Sequence, residues 1–197
     1  MSANGFRVYV PEPSHGAGDV SDDAMTGPSA EFRHELEAEY GVKFRFTSIG
    51  TGAAVASYCT ELASGNYDKI LVAVSIFLAG KAIKEGFEAW SWMYTKLASF
   101  FHRSPTFDRE GAAVLAYQAV VNELGGLPKS YQLEGFQVQD RLSYPNPMDV
   151  PDLGHLTEIH PAPDRVTRSS IYVFQIIVDG RNFRAAVDGT KVNIVED

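Results

Sequence analysis

The sequence predicts an α+β fold, with a mixed or mostly antiparallel sheet, helices packed on one face and a long central helix. The main observation is that nearly every strand-like segment alternates apolar with polar residues. This alternation is typical of a sheet with one face on the core and one face in water, whereas parallel sheets covered on both faces give continuous apolar runs. The helices are therefore expected to stack on a single side of the sheet.

The C-terminal part of the chain gives the clearest strand pattern. Alternating runs over 171–178, 182–187 and 191–195 are separated by Asp179-Gly180 and Asp188-Gly189. Asp-Gly between two alternating runs is the strongest short-range signal for a β-hairpin. We therefore predict a C-terminal three-stranded antiparallel β-meander.

Three further strands are predicted upstream of the meander. They lie at residues 6–10, 42–48 and 131–139. In the third of these segments the apolar residues change parity, and Gly135 stands at the change. A β-bulge at Gly135 would bring the apolar residues on both sides of it to one face of the sheet.

Helical spacing of apolar residues predicts four helices. They cover residues 29–40, 53–63, 67–102 and 108–124. The third is the long central helix, because one apolar stripe continues at three- and four-residue steps from Ala73 to Phe101, with Gly80 and Gly86 as the places where it would bend. The alternative is a buried strand over 70–77, since a short apolar run cannot be assigned by its period alone.

Two segments without any period are predicted to be long loops. Residues 11–28 are rich in Pro, Gly, Ser and Asp, and residues 144–163 are rich in Pro. No internal repeat and no convincing linker divides the chain. The whole sequence, 1–197, is therefore predicted to form a single α+β domain.

Charge and composition argue against several classes of protein. The formal net charge is -8, and an acidic protein repels phosphate backbones, so nucleic acid is not expected as a partner. Cys59 is the only cysteine, which excludes the internal disulfides of small secreted domains. The N-terminus lacks a signal-peptide pattern, and no apolar run approaches the ~20 residues of a membrane-spanning helix. We expect a cytoplasmic protein and no membrane partner.

The segment Gly50-Thr51-Gly52 is the closest approach to a cofactor motif. It follows a predicted strand and opens a predicted helix, which is where backbone N–H groups cradle phosphate. Val55 stands where the dinucleotide fingerprint requires Gly or Ala, and a tight turn explains both glycines. No cofactor is therefore predicted.

No metal or catalytic motif stands out elsewhere. His15 lies in the acidic loop, and His155 and His160 lie in the proline-rich loop with Glu158 between them. Zinc enzymes of the HExxH type need two His four residues apart on a helix, whereas these two are five apart in a loop. Cys59 is interpreted as a small buried apolar residue. No metal site and no catalytic residue is predicted.

These negative findings favour a non-catalytic protein-interaction module. Trp92 and Phe100 lie off the apolar stripe of the long helix, which indicates a second packing surface, formed either with another helix of the same chain or with a partner protein. The interaction hypothesis takes these two residues as the interaction surface, together with Arg184 on the outward face of the meander. The acidic charge favours a basic partner protein, as for an acidic inhibitor or immunity-type protein. A subunit of an assembly or a homo-oligomer is also consistent with these features.

The rival hypothesis is a small-molecule ligand-binding domain or a hydrolase-like enzyme. Its site would lie where the Gly50–Gly52 turn meets the loops at 11–28 and 144–163, with His15 or His160 as the general base. A closed pocket with a buried titratable group would favour the enzyme, whereas an exposed apolar patch with Trp92 or Phe100 would favour the interaction module.

Overall fold

The computed structural model describes residues 6–13, 28–49, 55–62, 67–84, 87–140 and 170–197. Within these ranges the strands are β1 (Phe6–Pro11), β2 (Arg45–Ile49), β3 (Val55–Leu62), β4 (Thr106–Phe107), β5 (Tyr131–Asp140), β6 (Ser170–Val178), β7 (Arg181–Asp188) and β8 (Lys191–Glu196). The α-helices of the same ranges are α1 (Pro28–Tyr40), α2 (Tyr67–Leu78), α3 (Phe87–Ala98) and α4 (Arg109–Leu124). The predicted α+β class is confirmed.

The strands form two four-stranded antiparallel sheets. The first sheet has the order β2-β3-β1-β4, and the second has the order β5-β6-β7-β8. The expectation of one sheet made from all the strands is therefore wrong, although every described strand pairing is antiparallel. The C-terminal meander is confirmed as β6-β7-β8, and β5 adds a fourth strand because it pairs with β6.

The predicted β-bulge in β5 is present. Its pairing with β6 passes from Leu133 opposite Ile176 directly to Gly135 opposite Gln175, so Glu134 is the extra residue. The apolar side chains on both sides of the bulge consequently reach the core. A Cβ atom at position 135 would lie 2.7 Å from Oε1 of Gln175, so a larger residue there would displace the end of that side chain.

The prediction of one long central helix is wrong, because the chain forms the two helices α2 and α3 in its place. Segment 70–77 is helical, as favoured, but α2 ends before Gly80, whose φ of 72° is the left-handed conformation of a helix C-cap. The N–H of Lys81 then donates to the carbonyl of Ile76 at 3.1 Å, which closes the helix end. Ile76 itself, expected on the buried stripe, is 37% exposed.

Between α2 and α3 the chain pairs with the edge of β5. Ile83 and Tyr131 exchange two backbone hydrogen bonds, of 2.8 and 3.0 Å. This bridge requires an extended backbone at Ile83, which a continuous helix could not supply. The apolar period of the sequence thus continues through a segment that is not helical.

The predicted helix over 53–63 is also wrong, because this segment forms β3. It pairs with β1 on one side and β2 on the other, so it is a central strand of the first sheet. Ser57, Tyr58, Cys59 and Thr60 are all buried, which covers both faces of the strand. A strand buried on both faces lacks the alternation that identifies half-buried strands.

Helix α4 contacts both sheets. It packs on β1 and β4 of the first sheet and on β6, β7 and β8 of the second. Its buried face includes several small residues, and a Cβ atom at Gly111 would lie only 3.1 Å from Cβ of Phe107. One apolar core cluster accordingly contains residues of both sheets and of the helices.

Candidate functional site

Several predicted site residues lie outside the described residues. They are His15, Gly50, Thr51, Gly52 and His160. The sequence predicted a strand before Gly50 and a helix after Gly52. The helix is wrong, because the described elements on the two sides of this segment are the antiparallel strands β2 and β3, with Ile49 opposite Val55. A phosphate cradle of the expected kind needs a following helix N-terminus.

Phe100 is buried, which removes it from the predicted interaction surface and agrees with the alternative that it packs inside the chain. Its side chain is 2% exposed and its ring stacks on Tyr40 of α1, with centroids 4.1 Å apart. Phe44 contacts it edge-on at 6.4 Å. The reason is that α3 ends at Ala98, so the helical stripe no longer determines which way Phe100 points.

Trp92 lies on the surface of α3, as expected. It is 38% exposed, and the Lys96 ammonium lies 5.6 Å from its ring centroid. That contact is a cation–π pair between residues one helical turn apart. Because Phe100 is buried, the structure does not bring the two residues together in one exposed patch.

Arg184 lies on the face of the second sheet that points away from the helices, here called the outward face. It sits between Gln175 on β6 and Val195 on β8. Its Nη2 donates to Oδ1 of Asp197 at 2.7 Å, so the guanidinium is held beside the end of β8.

Part of the outward face is shielded from solvent. Ile171, Val173 and Ala186 lie on it and are buried. The prediction that this face of the sheet is covered by water is therefore wrong for the end of the sheet where β6 begins. The exposed part of this face lies near β8.

Strand β8 forms an edge of the second sheet. Lys191, Asn193 and Val195 are exposed on the outward face, and Val195 retains 39% of its surface. The opposite edge, β5, is instead bridged by Ile83. No described strand pairs with the other side of β8, and this side, from Lys191 to Asp197, is called the free edge below.

The hydrogen-bond parity of β8 follows from its pairing with β7. The N–H of Asp197 donates to the carbonyl of Asn182 at 3.1 Å, in the register that places Val195 opposite Arg184. Along a strand of an antiparallel pair, the backbone N–H and C=O groups of successive residues point alternately toward the paired strand and away from it. The N–H and C=O groups of Val192, Ile194 and Glu196 therefore point away from β7, along the free edge.

A second cluster of polar groups surrounds Asp108 at the start of α4. Its Oδ1 accepts from the N–H of Gly111 at 2.9 Å, which is the N-cap contact of α4. Its Oδ2 accepts from the N–H of Arg7 in β1 at 2.7 Å. Burial, and secondarily the charge of Glu110, raises the pKa of Asp108 to about 7, against the lowering effect of the two N–H donors.

The surroundings of Cys59 in the first sheet do not favour nucleophilic catalysis by its thiol. Cys59 and Tyr9 face each other across β3 and β1, and both are buried. Burial raises the pKa of the Cys59 thiol and raises that of Tyr9 to about 12. A catalytic thiol needs the opposite shift, toward the thiolate at neutral pH.

Buried aromatic side chains join α2, α3 and β5. The rings of Phe77 and Tyr131 stack at 4.7 Å, and the ring of Trp90 lies 6.1 Å from that of Tyr131. The Tyr131 hydroxyl is buried and has no hydrogen-bond partner among the described residues. Burial also holds the pKa of Tyr131 well above its usual range.

The Tyr131 hydroxyl provides a test of this core. Tyr131→Phe is expected to leave the free energy of unfolding unchanged or to raise it by about 1 kcal/mol, because it removes a buried polar atom without a partner. Urea unfolding measures the change. Tyr40→Phe is the control, since the Tyr40 hydroxyl contacts Ser99 and His102. A loss above about 1 kcal/mol at Tyr131 would mean that its hydroxyl bonds an internal water.

Two further features are absent from the described part of the chain. No group of three or more His, Cys, Asp or Glu side chains there could hold a metal ion. None of the helices in the same ranges is long and apolar enough to cross a membrane.

Comparisons of the chain with protein-family models, with curated proteins and with solved structures found no match. The candidate site therefore rests on the chain's own geometry. Of the residues proposed from sequence, Arg184 lies beside the free edge and Trp92 lies on α3, on a separate element. Sequence reasoning missed the parity of β8 and the contact of Asp108 with β1, because both depend on pairing between distant segments.

Proposed function

We propose that this chain is a soluble, cytoplasmic, non-catalytic protein-interaction module that binds an extended segment of a partner protein along the free edge of β8. The observation that supports the proposal is the outward row of N–H and C=O groups at Val192, Ile194 and Glu196 on an exposed edge strand. Such a row is a template for one more antiparallel strand.

Side chains at the free edge would add selectivity to the backbone pairing. Val195 offers an apolar contact on the outward face, and the ion pair of Arg184 with Asp197 lies next to it. The side chain that a partner strand places opposite Val195 would contact it, since opposed side chains of neighbouring strands contact each other. The net charge of -8 would speed the encounter with a basic partner and slow the encounter of two copies of this chain.

A display library of random peptides tests the proposal. Peptides enriched on the wild-type protein are expected to have alternating apolar residues and to lose binding to Val192→Pro at least about tenfold, because proline removes an outward N–H donor. Binding to each protein is measured by fluorescence polarisation with the enriched peptides.

Trp92→Ala is the matched control in the same experiment. It removes the exposed aromatic side chain of α3 and leaves β8 intact. Peptides that bind Val192→Pro as well as the wild type but lose binding to Trp92→Ala would overturn the edge-strand proposal and place recognition on α3. A failure to enrich any peptide that depends on Val192 would also contradict it.

A further inference from the structure

We infer that the strand which binds the free edge is β8 of a second copy of this chain, so that two second sheets join into one continuous antiparallel sheet. The inference rests on the proposed function and names the partner. It follows from the charge pattern of Lys191–Asp197, which is complementary to itself when reversed.

The parity of β8 restricts how two copies can pair. A two-fold axis perpendicular to the sheet keeps the helices of both copies on the same side, so opposed residues must face the same way. One such register opposes all residues from Lys191 to Asp197. It places Ile194 on the axis opposite its own copy, and Val192 opposite Glu196 of the second copy.

In this register the backbone groups match. Val192, Ile194 and Glu196 carry the outward N–H and C=O groups in each copy, and each of them meets another member of the same set. They therefore form hydrogen-bonded pairs. Asn193 and Val195, whose backbone groups bond to β7, meet as a pair without interchain hydrogen bonds.

The side chains at both ends of the strand also match. Lys191 of one copy lies opposite Asp197 of the second, and symmetry makes this opposite-charge pair twice. Arg184 of the same chain already holds the Asp197 carboxylate at 2.7 Å, so Asp197 lies between two cations in the dimer. Shifting the register by two residues toward the turn opposes Lys191 with Val195 instead and loses both ion pairs.

The net charge sets the conditions for observing the dimer. Two chains of charge -8 repel each other at low salt. Dimer formation should therefore be measured at about 0.15 M salt, where charges more than ~8 Å apart are screened. A single pair of edge strands is smaller than a standard protein interface, so we expect a dissociation constant on the order of 100 μM.

Cysteine cross-linking tests the register. Asn193→Cys and Val195→Cys are made separately, and each is oxidised alone and mixed with the other. Cross-linked dimer is expected in the mixture and not in either variant alone, because residues 193 and 195 are opposed only across the two copies. The wild type is the control, since Cys59 is buried. Cross-linking of Asn193→Cys alone would overturn this register.

A charge swap tests the ion pairs by sedimentation velocity over a concentration series. Lys191→Asp and Asp197→Lys are each expected to weaken the dimer about tenfold, because each substitution creates two like-charge pairs. The double variant is expected to dimerise more tightly than either single variant, since it restores both interchain pairs, but less tightly than the wild type, because position 197 then carries a cation beside Arg184. Melting curves of each variant check that the monomer is folded.

The outcomes separate this inference from the proposed function. A wild-type protein that stays monomeric at millimolar concentration and gives no cross-link overturns the second-copy inference. Peptides whose binding depends on Val192 would in that case still support strand pairing with a different protein. If no peptide depends on Val192 either, both proposals are wrong.

Discussion

Proline at Asn193 is expected to destabilise the fold by about 3 kcal/mol or more, whereas proline at the adjacent Val192 is expected to cost about 1 kcal/mol. The N–H of Asn193 points toward β7 because Asn193 lies opposite Ala186 in the hydrogen-bonded register that Asp197 and Asn182 define. The N–H of Val192 points along the free edge. The two substitutions are neighbours in sequence but remove N–H donors on opposite sides of β8, and only the donor of Asn193 forms a hydrogen bond within the sheet.

Urea unfolding of both variants at one pH measures this difference. The side chain of Val192 is partly buried against the core, so the expected cost of about 1 kcal/mol at this position comes from lost packing and not from a lost hydrogen bond. Equal losses at the two positions would show that the free edge is covered in the folded monomer. A larger loss at Val192 would reverse the assigned parity and remove the basis of the proposed function.

The second sheet is the part of the fold that the sequence predicts best. Its hairpins are local, and Asp179 and Gly180 both adopt the positive φ, of 51° and 82°, that a tight two-residue turn requires. The bulge next to Gly135 could also be predicted, because the change of parity in β5 is visible without knowledge of the partner strand.

The first sheet could not be predicted to the same extent. β3 pairs with β1 and β2, and its burial on both faces removes the alternation that would have identified it. The prediction of one helix over 67–102 is wrong for a related reason. The pairing of Ile83 with Tyr131 is a contact between distant segments, and no local period reports it.

In the candidate site, too, the features that depend on local sequence could be predicted, and those that depend on contacts between distant segments could not. The outward position of Arg184 follows from the alternation of β7, which is a local property. The burial of Phe100 against Tyr40 depends on how α1 packs beside the end of α3. The free edge could be suspected from the meander, but its parity required the pairing of β7 with β8.

Asp108 connects the two sheets through α4, so its ionisation should affect the whole fold. Its carboxyl caps α4 and also accepts from Arg7 of β1, while α4 packs on both sheets. An Asp at the start of a predicted helix is a common N-cap, so the contact with Gly111 is a local feature that the sequence indicates. The burial of Asp108 could not be predicted, because the groups that surround it come from distant parts of the chain.

The stability of the wild type relative to Asp108→Asn is expected to fall as the pH rises from about 4 to about 8. In the folded chain burial raises the pKa of Asp108 to about 7, whereas an unfolded aspartate has a pKa of ~3.9. The protonated carboxyl is therefore the form that the fold favours. Its contribution is complete below about pH 4 and is lost as the pH rises through about 7.

Asparagine is a suitable replacement because it caps helices well and does not titrate in this range. Urea unfolding of both proteins at pH 5 and pH 8 measures the change, which we expect to be about 2 kcal/mol or more. Glu110→Gln is the control. Removing its charge should lower the pKa of Asp108 and reduce the pH dependence. If the wild type instead gains stability over Asp108→Asn with rising pH, the N–H donors of Arg7 and Gly111 outweigh burial, and the carboxylate is the form that holds α4 to β1.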